Sequence, residues 1–348
     1  MSLDETRNVI IQPSGHQFKV PPGETVLKAA LAEGFNLPFG CRNGACGSCK
    51  GKILDGRVDY GHYAPAVFSE MEKTAGYALF CAAKPLTDLV IEVREIGANK
   101  DIVVKKLPCR VHKVDKVADD VAVLYLKLPA NERLQFMAGQ YIDFILKDGT
   151  RRSFSMANAP HDDEFMQLHV RHVPGGKFTG HVWDSMKERE ILRLEGPLGN
   201  FYLREDSTKP IVFVASGTGF APIKSILEYA FRKGIDRPMT LYWGCRKKAD
   251  LYLLDLPQEW ARDHSNFKFV PVLSEPSAAC EWSGRTGFVH RAVMEDFADL
   301  SDHQVYACGV PIMINAARGD FTAKCHLPLD EFFADSFTTA ADLATAPT

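Results

Sequence analysis

Three cysteines crowd into nine residues near the N-terminus, Cys41, Cys46 and Cys49 in the string GCRNGACGSCKG. A fourth, Cys81, follows after 31 intervening residues, in ALFCAAKP. A C-x4-C-x2-C run with a distant fourth thiol is the ligand spacing of a 2Fe–2S cluster. The loop composition follows from that chemistry. Three thiolates from one short segment reach a single small cluster only if the backbone curls around it. Gly40, Gly44 and Gly47 permit the curl and let backbone N–H groups approach the sulfurs. Those N–H dipoles stabilise an added electron. Structural zinc usually takes two short paired motifs, and this chain has one C-x2-C. Disulfides belong to oxidising compartments, which nothing else in the sequence indicates. Cys41, Cys46, Cys49 and Cys81 are therefore the expected metal ligands.

Such thiols need a scaffold. NVIIQ and HQFKV alternate like short strands across the Pro13-Ser14-Gly15 turn. ETVLKAALAEG then places Val26, Leu27, Ala30 and Leu31 on one helical face, with Gly34 where the helix would end. With the cysteine loop and further strands, residues 1–96 resemble a plant-type ferredoxin module, which implies an α+β β-grasp fold. The module carries 10 Lys and Arg against 11 Asp and Glu. Such weak charge suits a domain tethered to its electron donor, which needs no long-range steering.

GANKDIVVKKLP, polar and ending in Pro108, reads as a domain boundary, with residues 97–105 as linker. Short alternating segments follow, such as VAVLYLKLP and QYIDFILKD, and suggest an antiparallel β-barrel over residues 106–206. Within it stands Arg152-Ser153-Phe154-Ser155. Arginine offers fork-shaped donors to a pyrophosphate, and an aromatic ring offers a face to a flavin. The run resembles the Arg-x-Tyr/Phe-Ser signature of the ferredoxin–NADP reductase superfamily. That resemblance implies Arg152 on the FAD pyrophosphate and Phe154 against the isoalloxazine. It puts Ser153 and Ser155 at the ring system, where a small hydroxyl can sit beside N5, the atom that receives hydride. LHVRHVPGGKFTGHV is similar to the family's second flavin segment. By resemblance, His169, Val170 and Arg171 line the cofactor, and Gly176, Lys177 and Thr179 hold the pyrophosphate at a helix start. EGPLGNF resembles the family's barrel-closing segment.

IVFVASGTGFAPIKSILEYAFRKG reads as a buried strand, a glycine turn and a helix. Gly217-Thr218-Gly219 lets the backbone approach a pyrophosphate at the helix start, and Pro222 suits the first helical turn. The string resembles the superfamily's Gly-Thr-Gly-x-Ala-Pro motif for a nicotinamide cofactor. MTLYWG, FKFVPVL and HQVYACG continue the β–α alternation of a parallel α/β domain over residues 207–337. Cys308-Gly309-Val310-Pro311 resembles the family's motif beside the nicotinamide ring. Cys308 and Ser155 are the catalytic candidates, acting through ring alignment, since hydride transfer asks for no protein nucleophile. Cys109, Cys245, Cys280 and Cys325 are expected to pack. Arg246, with Lys247 and Lys248, can meet a 2′-phosphate or form a solvated turn; NADH and NADPH both stay open. Phe332, Phe333 and Phe337 are candidates for covering the flavin. Residues 338–348 read as a fraying tail.

The 348 residues suit this multidomain plan. A net charge of −3 gives no field toward nucleic acid or an anionic membrane. No apolar run approaches a membrane span, and the acidic, polar first residues show no signal peptide. A cytoplasmic protein is expected. The whole chain resembles the ferredoxin–flavin–nicotinamide reductases. The resemblance implies an NAD(P)H-dependent oxidoreductase passing electrons through FAD and the 2Fe–2S cluster to a redox partner protein. CGSCKGKILDGRVDY, TGFVHRAVMEDFADLS and FFADSF are similar to the CDP-6-deoxy-Δ3,4-glucoseen reductases, whose acceptor is a sugar adduct on a dehydrase. The alternative is the reductase component of a multicomponent aromatic-ring oxygenase or monooxygenase.

Overall fold

The structure is a computed structural model that describes residues 5–95 and 102–337. Most of the expected linker and the expected tail, residues 338–348, lie outside the described residues. Residues 5–95 and 102–333 belong to two compact units.

The first unit runs β1 (Arg7–Gln12), β2 (Gln17–Val20), α1 (Val26–Ala32), β3 (Lys50–Asp55), β4 (Val58–Asp59), α2 (Glu70–Thr74), β5 (Tyr77–Leu79), β6 (Lys84–Pro85) and β7 (Leu89–Glu92). Its sheet has the order β2-β1-β7-β3-β5, with β1 and β7 parallel and the other pairs antiparallel. The Thr25 hydroxyl caps α1 by accepting from the Lys28 N–H. Val26, Leu27, Ala29 and Ala30 bury the other side of the helix in the core with Ile11, Leu79 and Phe80. This is the β-grasp arrangement, and residues 33–49 connect α1 to β3 with Leu37, Phe39 and Cys49 in the same core.

The second unit begins with β8 (Lys105–Ala118), β9 (Val121–Lys127), β10 (Tyr141–Ile145), β11 (Arg151–Ser155), β12 (Met166–Arg171), α3 (Lys177–Asp184) and β13 (Ile191–Leu198). β8 starts at Lys105, so its first residue falls inside the expected linker. The strands form one antiparallel sheet, β11-β10-β13-β8-β9-β12. A single antiparallel bridge, Met156 to Leu168, joins its two ends and closes the barrel. The EGPLGNF string does not close it: β13 lies inside the sheet, between β10 and β8. Phe178 and Val182 of α3 enter the barrel core beside Leu124, Phe144 and Leu168.

The chain continues through β14 (Ile211–Ser216), α4 (Phe220–Lys233), β15 (Met239–Cys245), α5 (Asp255–Asp263), β16 (Phe267–Leu273), β17 (Arg285–Thr286), α6 (Val289–Asp296), β18 (Gln304–Gly309), α7 (Pro311–Lys324) and β19 (Phe332–Ser336). The sheet order is β17-β16-β15-β14-β18-β19, with parallel pairing from β17 through β18. The first five residues of β14 are buried, as a strand covered on both faces requires. The order in which strands are added across the sheet reverses between β14 and β18. That switch point opens a crevice at the strands' carboxyl ends. Among the described residues no helix is long and apolar enough to cross a membrane.

Leu168 supports the closing bridge and is fully buried. Leu168→Ala should destabilise the second unit by about 2–5 kcal/mol through the cavity it leaves. All four tryptophans, Trp183, Trp243, Trp260 and Trp282, lie in this unit. Urea unfolding followed by their fluorescence measures the loss.

Candidate functional site

The first unit brings Cys41, Cys46, Cys49 and Cys81 together as two sulfur pairs. Cys41 donates to Cys46, and Cys49 donates to Cys81. The donated hydrogen holds the Cys46 and Cys81 thiols below their ordinary value. The donors Cys41 and Cys49 are pushed up by the same contacts and by burial. Backbone N–H groups point at the sulfurs as well: Gly44 to Cys81 Sγ at 3.2 Å, Ala45 to Cys41 Sγ at 3.3 Å and Cys41 to Cys46 Sγ at 3.3 Å. Gly44 has φ +79°, and a Cβ there would lie 2.6 Å from the His62 carbonyl oxygen. A side chain would therefore push the loop off its donor geometry. Among the described residues no group of three or more His, Cys, Asp or Glu is arranged to hold a lone metal ion. Two thiol pairs ringed by N–H donors fit a two-iron cluster, with four thiolate ligands.

In the barrel, strand alternation sorts the flavin candidates. Arg152 and Phe154 of β11 share one face. The Phe154 ring packs 5.2 Å from Phe178 and 5.8 Å from Phe144. The Arg152 Nη1 donates to the Arg151 carbonyl at 2.7 Å, and among the described residues the guanidinium pairs with no carboxylate. Ser153 points to the opposite face, where its hydroxyl donates to Asp143 at 2.6 Å. Arg151 meets Asp143 and Glu195 on that side. Ser155 is buried at the end of the strand. Gly176 caps α3, and the Thr179 hydroxyl closes the turn by accepting from the Val173 N–H and donating to its carbonyl. Lys177 is paired with Asp148 at 3.0 Å. An arginine without a carboxylate, sharing a face with an aromatic ring, fits a flavin and its pyrophosphate.

On β12 the alternation divides His169, Val170 and Arg171. Val170 is part of the barrel core. His169 and Arg171 face outward, toward the parallel-sheet domain. The His169 Nδ1 lies 2.8 Å from the Tyr252 hydroxyl. Arg171 donates through Nε to Asp120 at 2.7 Å, and its Nη1 lies 3.0 Å from where a Gly217 Cβ would be. Burial first, and then the nearby Lys224 charge, pull His169 down to about 3. Two further ties cross this seam: Ser225 donates to the Asn158 carbonyl at 2.7 Å, and Lys224 to the Ala157 carbonyl at 3.2 Å.

At the switch point, the Gly217-Thr218-Gly219 turn leaves β14 beside Cys308-Gly309 at the end of β18. A Cβ on Gly219 would fall 2.1 Å from the Cys308 carbonyl oxygen. The Ser216 hydroxyl accepts from the Val310 N–H at 3.1 Å and ties the two loops. Cys308 is wholly buried, and Pro222 is buried in the first turn of α4. Arg246, Lys247 and Lys248 are exposed just past β15, and among the described residues none pairs with a carboxylate. Asp250, in the same turn, accepts from the Lys247 N–H at 3.0 Å; the sequence reading passed over it. Trp243 and Tyr252 were also missed, because their partners are distant in sequence. Burial pushes Cys109 and Cys245 up to about 12, as inert packing thiols require. Cys325 is buried and Cys280 half-buried. Phe332 packs on Phe321. Phe333 lies 4.8 Å from Tyr306 and 4.7 Å from the Arg204 guanidinium. Phe337 is half-buried.

Comparison with known proteins matches residues 9–86 to a 2Fe-2S iron-sulfur cluster binding domain, 108–202 to an oxidoreductase FAD-binding domain and 213–319 to an oxidoreductase NAD-binding domain. The CDP-6-deoxy-L-threo-D-glycero-4-hexulose-3-dehydrase reductase of Yersinia pseudotuberculosis is 41% identical over 95% of this chain and 98% of its own. Reductase component 1 of the terephthalate 1,2-dioxygenase of a Comamonas species is 36% identical over 95% and 97%. Among solved structures, the Amycolatopsis reductase GcoB superposes with a TM-score of 0.75 at 33% identity, covering 96% of this chain and 99% of that one.

Gly219→Ala should force the two loops apart and weaken NAD⁺ binding, read by titration of flavin absorbance against the wild type. A pH effect follows from His169. The folded chain keeps it neutral down to about pH 3, while the unfolded imidazole titrates near 6.5. The unfolded state binds more protons between those values, so stability falls as pH drops through that window, by up to about 1.4 kcal/mol per pH unit. His169→Asn should flatten this part of the acid loss in urea unfolding curves taken between pH 7 and 5.

Proposed function

Since this chain belongs to the iron–sulfur flavoprotein reductases of the ferredoxin–NADP reductase superfamily, we propose that its electrons go to a sugar-nucleotide dehydrase. The protein is an NAD(P)H-dependent oxidoreductase with 2Fe–2S, FAD and nicotinamide cofactor domains. Its relatives are reductase components of dehydrase or oxygenase systems. The single observation that carries the dehydrase reading is the end-to-end match to a hexulose-3-dehydrase reductase, at 41% identity over 98% of that protein. The second reading, an oxygenase reductase, draws on relatives at 36% identity that cover 95% and 96% of this chain.

Together the bound groups turn a two-electron hydride donor into a source of single electrons. The chain's part is binding and orientation. Cys41, Cys46, Cys49 and Cys81 hold the cluster, and the N–H donors of residues 41, 44 and 45 favour its reduced form. Arg152 and the start of α3, with Gly176, Lys177 and Thr179, take the FAD pyrophosphate, and Phe154 lies against the flavin. The chemistry of Arg152, a fork of donors with no competing carboxylate, supports this. Gly217, Thr218 and Gly219 receive the nicotinamide cofactor's pyrophosphate at the head of α4, with Arg246 toward its adenosine end. Ser155 and the Cys308-Gly309 loop border the place where the two rings meet. The domains run 1–96, 106–206 and 207–337. Residence in the cytoplasm, where packing thiols such as Cys109 and Cys245 stay reduced, fits this assignment.

Reconstitution tests the acceptor. Adding a CDP-hexulose dehydrase with its substrate should accelerate NADH oxidation, and an oxygenase component should not; the reverse result would sink the dehydrase reading. Cys46→Ser should abolish cytochrome c reduction and spare direct flavin reduction of ferricyanide. Equal loss of both would refute the assigned electron order.

A further inference from the structure

Four buried rings connect the flavin strand to the dinucleotide turn, and the function assigned above uses none of them. His169 projects from the outer face of β12. Its ring meets Tyr252 edge-on, with centroids 5.3 Å apart at 86°, and its Nδ1 lies 2.8 Å from the Tyr252 hydroxyl. Tyr252 meets Trp243 edge-on at 5.3 Å and 88°. Trp243 stacks on Phe220 at 4.1 Å, and its Nε1 donates to the Gly217 carbonyl at 2.9 Å. The contacts start on the barrel and end on the first residue of the Gly217–Gly219 turn. None of the four residues is more than 9% exposed.

Apolar side chains would serve simple packing here. Two polar groups are buried against each other instead, and leaving either one unpaired would cost its desolvation penalty. Burial keeps the imidazole neutral and the tyrosine protonated, so the bond persists at neutral pH. A hydrogen bond is also directional: it constrains angle as well as distance, which a hydrophobic contact does not.

We infer that the His169–Tyr252–Trp243 chain sets the register of the nicotinamide turn against the flavin strand, making His169 and Tyr252 positioning residues for hydride transfer. This rests on the cofactor placement proposed above. The two residues exchange no proton or electron with either cofactor; the hydride passes from nicotinamide to flavin. Their effect is on the approach of the rings, where a misplacement of about 1 Å costs up to roughly 100-fold in rate.

Stopped-flow reduction of the bound flavin by NADH, in the holoprotein and without an acceptor protein, tests the inference. Tyr252→Phe keeps the ring contacts and removes only the hydroxyl. The limiting rate should fall roughly 10- to 100-fold. The flavin–nicotinamide charge-transfer absorbance should weaken, and NAD⁺ affinity should be largely kept. His169→Leu should lose as much. His169→Asn should recover most of the rate, since an amide there can donate or accept. The double variant His169→Leu with Tyr252→Phe should be no slower than either single one. An unchanged rate and charge-transfer band in Tyr252→Phe would overturn the inference, as would equal losses in His169→Asn and His169→Leu. Wild-type flavin that NADH does not reduce would instead overturn the cofactor placement on which the inference rests.

Discussion

Gly219 lies so close to the Cys308 carbonyl that no side chain fits between them, and the rest of the reductase core is organised around that approach. It brings the turn after β14 against the loop after β18, at the one place where the parallel sheet reverses its winding order. An open α/β sheet offers its ligand crevice there. Ser216 locks the pair of loops by accepting from the Val310 N–H. The crevice of the nicotinamide-binding domain thus has a backbone floor whose shape depends on Gly219 and Gly309.

The flavin side comes from a different sheet, so the alignment of two rings depends on how barrel and parallel sheet meet. The outer face of β12 supplies the join. Residues at alternate positions bury Leu168 and Val170 in the barrel and present His169 to Tyr252 and Arg171 to the Gly217 turn. Ser225 and Lys224, on α4, reach back to carbonyls just past β11. These ties are polar, buried and satisfied. A seam of that kind holds one geometry, whereas apolar packing alone tolerates sliding.

The cluster module solves a separate problem. Four cysteines, three of them buried and Cys41 half-buried, need compensating dipoles, and the loop supplies N–H groups from residues 41, 44 and 45. Burial that would otherwise hold a thiol protonated is offset locally by the partner sulfur, as the lowered Cys46 shows. The β-grasp sheet keeps Cys81 near the cysteine loop although the sequence separates them.

Much of this was legible in the linear sequence, for physical reasons. A two-iron cluster asks for several thiolates from one tight loop, so Cys41, Cys46 and Cys49, with Cys81 farther along, mark the 2Fe-2S domain by their spacing. Buried parallel strands must be apolar throughout, so β14 and the glycine turn after it stand out. Strand period also announced the antiparallel barrel, and the order of motifs announced the family. Contacts across sheets left no such trace. Nothing in the string LHVRHV says that His169 turns away from the barrel to meet Tyr252, 83 residues on. Nor does EGPLGNF reveal an inner strand, with closure left to Met156 and Leu168. Local chemistry is written in neighbouring residues because short loops and periodic strands create it. The partner of an outward-facing side chain depends on how separately folded sheets pack, and only the tertiary structure decides that.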